Sequence, residues 1–215
     1  YQAFNFVRGQ HFDPYTSDMS ASLRLPSQAH KMFSPSRMKE YFRNTANRRH
    51  ERQHMVARTV SEAIEWLEVN NRLERFALWV DMWDPHEPFD PPSYDWDRYR
   101  DSRYHGDKII YPAYGRPNYM TADELQSVRA LYAGKITLVD RWVGRLLEKI
   151  EMLGLTRDTL IVWTTDHGHL FGEHDLQGKP IGVLGTLYEE TARIPLIVRH
   201  PEGLGAGQRV PGLVQ

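Results

Sequence analysis

The sequence predicts an α/β fold with a mostly parallel sheet flanked by helices on both faces, and three observations carry that prediction. Short continuous apolar runs, FALWVD at 76–81, TLIVWTT at 159–165 and RIPLIVR at 193–199, read as strands buried on both faces. Segments with helical spacing separate them, which is the pattern of βα units. At 215 residues the chain is long enough for one core and short for two.

Along the chain, residues 1–35 are rich in Pro, Ser and Asp and show little periodicity, so a short strand from Ala3 to Arg8 followed by loop is expected. Pro35 opens a helix, because its locked φ suits a first helical turn. In HMVARTVSEAIEWLEVNN the apolar Val56, Val60, Ala63, Ile64 and Leu67 recur at three- and four-residue steps, which marks one buried stripe on a helix ending near Asn70. The run 76–81 and a long Pro-rich excursion follow. TADE at 121–124 is a capping box, with Thr121 placed to accept from the Glu124 amide and Glu124 placed to reach back. Leu125, Val128, Tyr132, Ile136, Val139, Val143, Leu146 and Ile150 then hold a stripe until Gly154 supplies a left-handed stop.

Composition excludes several classes of function. The 27 basic and 28 acidic residues nearly cancel, so no global field points toward nucleic acid or an anionic membrane. The basic run Arg37, Lys39, Arg43, Arg48, Arg49 and Arg52 carries no recognition motif and reads as a solvated helix face. No stretch approaches the roughly 20 apolar residues needed to cross a bilayer. Without cysteine there is no disulfide, thiolate metal site or cysteine nucleophile in these residues.

In open parallel sheets, ligands gather beyond the carboxyl ends of the strands. The loops DMWDPHEPFDPP and DHGHLFGEHDLQGK, each following a strand-like run, should therefore share one rim. Asp166 and His167 set a hard carboxylate oxygen beside an imidazole nitrogen, which suits a divalent cation such as Ca²⁺, Mn²⁺ or Zn²⁺. The same pair also reads as a turn-capping Asp beside an ordinary loop His. Gly168 permits a tight turn with close backbone approach. Lys179 follows Gly178 in a loop too long and too polar for mere connection, and a lysine beside a metal makes sense if both neutralise one oxyanion. A solvated surface lysine is the competing reading. His86 sits in PHEP, whose prolines stiffen the loop. His169, Glu173 and His174 add ligand-type atoms and suit supporting roles better than direct ligation, although a His-x-His pair can belong to a zinc site.

The ordered set formed by Pro-His-x-Pro after a strand, a long helix ending in GRLLEKIEMLGL, then TLIVWTTDHG, LFGEH, GK, YEE and RIPLIV resembles the sulfatase family of the alkaline-phosphatase superfamily. The resemblance runs across most of residues 54–201. It implies an alkaline-phosphatase-like fold and metal-dependent hydrolysis of small sulfate monoesters. Asp166 and His167 would hold the cation, usually Ca²⁺, with Mn²⁺, Mg²⁺ or Zn²⁺ as alternatives. Lys179 and His86 would hold the sulfate oxygens, and Lys179 would also assist the leaving group. Histidine titrates near pH 6.5, so a protonated His86 should weaken as pH rises unless a neighbouring acid holds its proton.

Departures from the family pattern matter too. An Asp-Asp metal pair, a Cys-x-Pro-x-Arg or Ser-x-Pro-x-Arg segment whose first residue becomes formylglycine, and a Gly-Lys-Trp-His segment are not recognisable here. FSPSR at 33–37 copies the spacing of the second, but Phe33 has no oxygen or sulfur to convert. His169 stands where the family commonly has Glu. The expectation is therefore that residues 1–215 are the middle of one catalytic domain, cut at both ends, with formylglycine in an N-terminal part outside them, and inactive alone. The alternatives are a phosphonate or phosphate ester hydrolase of the same superfamily, including the two-zinc phosphodiesterase type, and a non-catalytic module that binds a metal or an anion.

Overall fold

A computed structural model describes residues 3–17, 25–179 and 187–212. Besides short 3-10 turns, its helices are α1 (Pro35–Thr45), α2 (Met55–Asn70), α3 (Ser93–Trp96), α4 (Ala122–Met152) and α5 (Glu189–Ala192). Its strands are β1 (Ile161–Thr164), β2 (Leu170–Phe171), β3 (Gln177–Gly178) and β4 (Leu196–Arg199). The alternation of helix and strand makes it an α/β chain.

The helices begin and end where local chemistry dictates. Pro35 opens α1, and α2 stops at Asn70. Thr121 and Glu124 form the reciprocal capping box at the start of α4, and Gly154 follows its end in the left-handed region at φ 74°. Two cores flank α4. One gathers Met38, Tyr41, Phe89, Trp96, Ile109, Tyr111, Val128, Leu131 and Phe171. The other joins Val56, Ala57 and Val60 of α2 to Leu138, Val139 and Trp142 of α4. Because the two halves of α4 face different partners, its buried face swings along its length. Ile136, expected inside, is 42% exposed, while Leu131, Lys135, Leu138 and Trp142 are buried.

Lys135 forms an ion pair with Asp84 inside this interface, both side chains being almost wholly buried. Asp84 also accepts from the Val56 amide at 2.8 Å, so one carboxylate ties α2 and α4 to the loop that carries His86. Lys135→Met leaves that carboxylate buried without its counter-ion and is expected to cost about 3–5 kcal/mol. A urea midpoint equal to that of the wild type would contradict this. Arg48, expected on a solvated face, turns inward to pair with Asp90, which also accepts from Tyr41 at 2.9 Å. Arg141 of α4 reaches Asp95 of α3 at 2.6 Å.

His54, at the amino end of α2, is 6% exposed. Burial, with Arg48 and Lys135 nearby, pushes its pKa down to about 4. The unfolded chain, titrating near 6.5, takes up a proton that the folded one refuses. His54 therefore contributes fully to stability above pH 6.5, and the contribution disappears as pH falls toward 4, by an amount on the order of 3 kcal/mol. His54→Gln is expected to flatten the stability profile across that window in denaturant melts.

The strands depart from expectation. β1 pairs with β4 antiparallel, Val162 opposite Val198, and β2 pairs with β3 antiparallel. The expected parallel ladder is therefore not among the described residues. A parallel return needs a crossover of a dozen or more residues that carries the chain back along the strand. Here the described part of the connection holds the β2–β3 pair and the four-residue α5, and β4 enters from the end that β1 leaves. Nor are the strand-like runs buried on both faces. Residues 76–81 and 3–8 form no strand, Trp79 is 76% exposed, and β4 is exposed along its length. Apolar runs report a preference for burial, and burial needs covering layers that the described residues do not supply.

Candidate active site

His86 is held from both sides. Its amide donates to the Trp83 carbonyl at 3.0 Å, and the Phe89 amide three residues on donates to Ile110 at 2.6 Å. The His86 Nδ1 lies 2.7 Å from the Glu87 carbonyl oxygen, so that nitrogen carries the proton and Nε2 presents its lone pair. Lys179, 93 residues further on, places Nζ 2.5 Å from that Nε2. Burial pushes the His86 pKa down, Glu87 pulls it up and Lys179 pushes it down again, with a net lowering. In this arrangement His86 is neutral and accepts from the lysine.

Lys179 reaches this place because β3 is pinned on either side. The Gln177 backbone exchanges hydrogen bonds with Gly115 at 2.7 and 3.0 Å. Gly178 has φ 105°, and a Cβ there would stand 2.5 Å from the Tyr114 ring, so the turn into Lys179 requires glycine. Tyr114 in turn donates to Glu87 Oε1 at 2.7 Å.

Asp166 and His167 leave the end of β1 as a second pair. The His167 amide donates to Asp166 Oδ1 at 2.9 Å, and its Nδ1 lies 2.8 Å from the Gly168 carbonyl, which puts the proton there. Nε2 is thus left with a lone pair, 3.5 Å from Asp166 Oδ2. A carboxylate and an unprotonated imidazole nitrogen side by side and accessible are donors that fit a divalent cation. Among the described residues no group of three or more His, Asp or Glu converges on one metal position. His167 is close enough to both His86 and His169 to add to the lowering of their pKa values, which follows first from burial. Close backbone approach at Gly168 is pronounced: its amide donates to Thr191 at 2.9 Å, and a Cβ would lie 1.9 Å from the Glu190 carbonyl oxygen.

The remaining ligand-type side chains have partners of their own. His169 accepts from Gln177 Nε2 at 3.0 Å and turns Nδ1 toward Glu87 at 3.4 Å. His174 meets Glu190 at 3.1 Å and stacks on Tyr188. Glu173 accepts from the Phe171 amide at 2.5 Å and pairs with Arg129. FSPSR has a packing role, since Phe33 stacks between Tyr111 and Tyr114.

Four residues near His86 carry no sequence signal of their own. Glu87, between the prolines of PHEP, is 1% exposed. Tyr114 is its hydroxyl partner. His11 lies with its ring 5.3 Å from that of His86, and burial, with His86 beside it, lowers its pKa to about 4. Trp83 packs against the His86 ring at 4.3 Å.

An arylsulfatase of Clostridium perfringens is 26% identical over 176 residues, 74% of this chain and 34% of that protein. An N-acetylglucosamine-6-O-sulfatase of Bacteroides thetaiotaomicron is 40% identical over 76 residues, 35% of this chain and 13% of that protein. The structure of a phosphonate monoester hydrolase of Agrobacterium radiobacter superposes with a TM-score of 0.57 at 26% identity, covering 74% of this chain and 35% of that one. The chain thus spans about a third of the length of the first of these relatives and of that structure. A family model described as Sulfatase matches residues 4–215, and the chain belongs to the sulfatase family.

Proposed function

We propose that residues 1–215 are part of a single catalytic domain that hydrolyses small sulfate monoesters with the help of a divalent cation. The observation that carries this reading is the meeting of Lys179 and His86 at 2.5 Å, across 93 residues, beside a buried carboxylate. Two nitrogen groups converging on one point suit a small oxyanion. Sulfuryl transfer spreads negative charge over peripheral and leaving oxygens, and preorganised cations aimed at those oxygens stabilise it.

In this reading Lys179 exchanges its bond to His86 for an oxygen of the ester and stays near the leaving group. His86, with Nδ1 toward the Glu87 carbonyl and carboxylate, takes a proton at Nε2 to donate to a second oxygen. Asp166 and His167 contribute a carboxylate oxygen and Nε2 to the cation. Ca²⁺ is the favoured ion, and when bound it supplies positive charge to the same oxygens. The nucleophile, a formylglycine, is assigned to a part of the protein outside these residues. The strand-like runs at 76–81 and 159–165 are assigned to the larger, mostly parallel sheet of the whole domain.

A phosphonate monoester hydrolase is the second reading, favoured by the Agrobacterium radiobacter structure. The two-zinc alternative loses support because both ring nitrogens of His169 already have partners and His174 is paired with Glu190. The deciding experiment assays the full-length protein with an aryl sulfate, an aryl phosphate and an aryl phosphonate ester. Highest kcat/KM on the sulfate supports the first reading, and highest kcat/KM on the phosphonate moves the assignment to the second.

A further inference from the structure

We propose that Glu87 is a specificity-determining counter-charge: it holds the net charge of the anion site at a level that suits singly charged esters and disfavours doubly charged ones. This rests on the anion-site reading above. Among the described residues, four groups face the Glu87 carboxylate. Tyr114 donates to Oε1 at 2.7 Å, His169 Nδ1 is 3.4 Å from Oε1, and His86 Nδ1 and Lys179 Nζ are 3.1 and 3.6 Å from Oε2. Burial pushes the Glu87 carboxyl up, but His169, His86, Lys179 and the Tyr114 hydroxyl more than offset it, so it stays ionised. His11, Tyr111 and Tyr132 feel its charge as well.

Two of the four facing groups are those assigned to the substrate oxygens. A buried carboxylate beside an anion site works against anion binding, because like charges a few Å apart repel strongly where water is excluded. A site selected for anion affinity alone would not carry it. Lys179 and a protonated His86 bring two positive charges, and Glu87 removes one. Among these side chains a monoanionic sulfate ester then balances the cluster, whereas the second charge of a phosphate monoester adds to the repulsion from Glu87. That repulsion scales with the charge of the guest, so it discriminates between guests of similar shape. Replacing Glu87 by its neutral isostere isolates its share, whatever charge a bound cation adds.

The test measures kcat/KM of the full-length protein for 4-nitrophenyl sulfate and for 4-nitrophenyl phosphate as its dianion. Glu87→Gln is expected to shift the ratio toward the phosphate by about 10- to 100-fold. Glu87→Asp keeps the charge and is expected to slow both reactions with the ratio held. Glu87→Gln slowing both reactions in proportion, or Glu87→Asp shifting the ratio as far, would overturn the proposal and leave Glu87 a structural residue. Should Glu87→Gln not fold, the wild type decides. A monoanionic 4-nitrophenyl phenylphosphonate should then exceed the dianionic phosphate, on the same phosphorus centre, by about 10-fold or more. Equal or reversed rates overturn the proposal. A wild type inert toward all three esters defeats the hydrolase reading, and the proposal with it, whereas an active wild type with an unmoved ratio defeats the proposal alone.

Discussion

Lys179→Ala in the full-length protein is expected to lower kcat/KM for an aryl sulfate by about 10²- to 10³-fold, the usual loss when one preorganised charge facing a developing oxyanion is removed. The fold should survive it, because Lys179 lies just past β3 and the pairing of Gln177 with Gly115 uses only backbone groups. His86→Ala should cost a comparable factor. The two losses should not multiply, since Nζ and Nε2 lie 2.5 Å apart and serve one guest. Steady-state kinetics on the two single variants and the double variant checks this. Turnover untouched by Lys179→Ala would remove the lysine from the site.

Gly168→Ala is expected to have the largest effect on the Asp166–His167 pair. The added Cβ would stand 1.9 Å from the Glu190 carbonyl oxygen and 3.0 Å from its carbon, so backbone must move on one side or the other. Such overpacking costs about 1–3 kcal/mol. Movement here also breaks the hydrogen bond that the Gly168 amide donates to the Thr191 carbonyl and turns the carbonyl that holds His167 Nδ1. Loss of that orientation should weaken divalent-cation binding by about 10- to 100-fold. Calorimetric titration with Ca²⁺, beside a thermal melt, reads both effects. Unchanged affinity and unchanged melting would show that the loop after β1 and α5 do not approach this closely in solution.

Why some elements were legible and others not follows from the range of the forces that make them. The capping box at Thr121, Pro35 at the start of α1 and the stop at Gly154 act within one helical turn, and each stands where it was expected. The buried face of α4 was only partly legible, because Lys135 turns inward to meet Asp84, a partner 51 residues away, while Ile136 faces solvent. Strands were the weakest part: FALWVD is apolar enough for a buried strand, but pairing partners decide whether it becomes one. In the candidate site, His86 and Lys179 could be picked out by motif and order. Glu87 could not, although it stands beside His86, because its inward turn depends on Tyr114, His169 and Lys179 arriving from distant segments.

In the proposed site His86 and Lys179 together grip one tetrahedral anion beside the pair that holds the cation. A crystal structure of the full-length protein with inorganic sulfate and Ca²⁺ tests it most directly. The expected result is one sulfate with oxygens within hydrogen-bond distance of both Lys179 Nζ and His86 Nε2, and the calcium on Asp166 and His167. Sulfate bound away from both nitrogens, with Lys179 still donating to His86, would contradict the account.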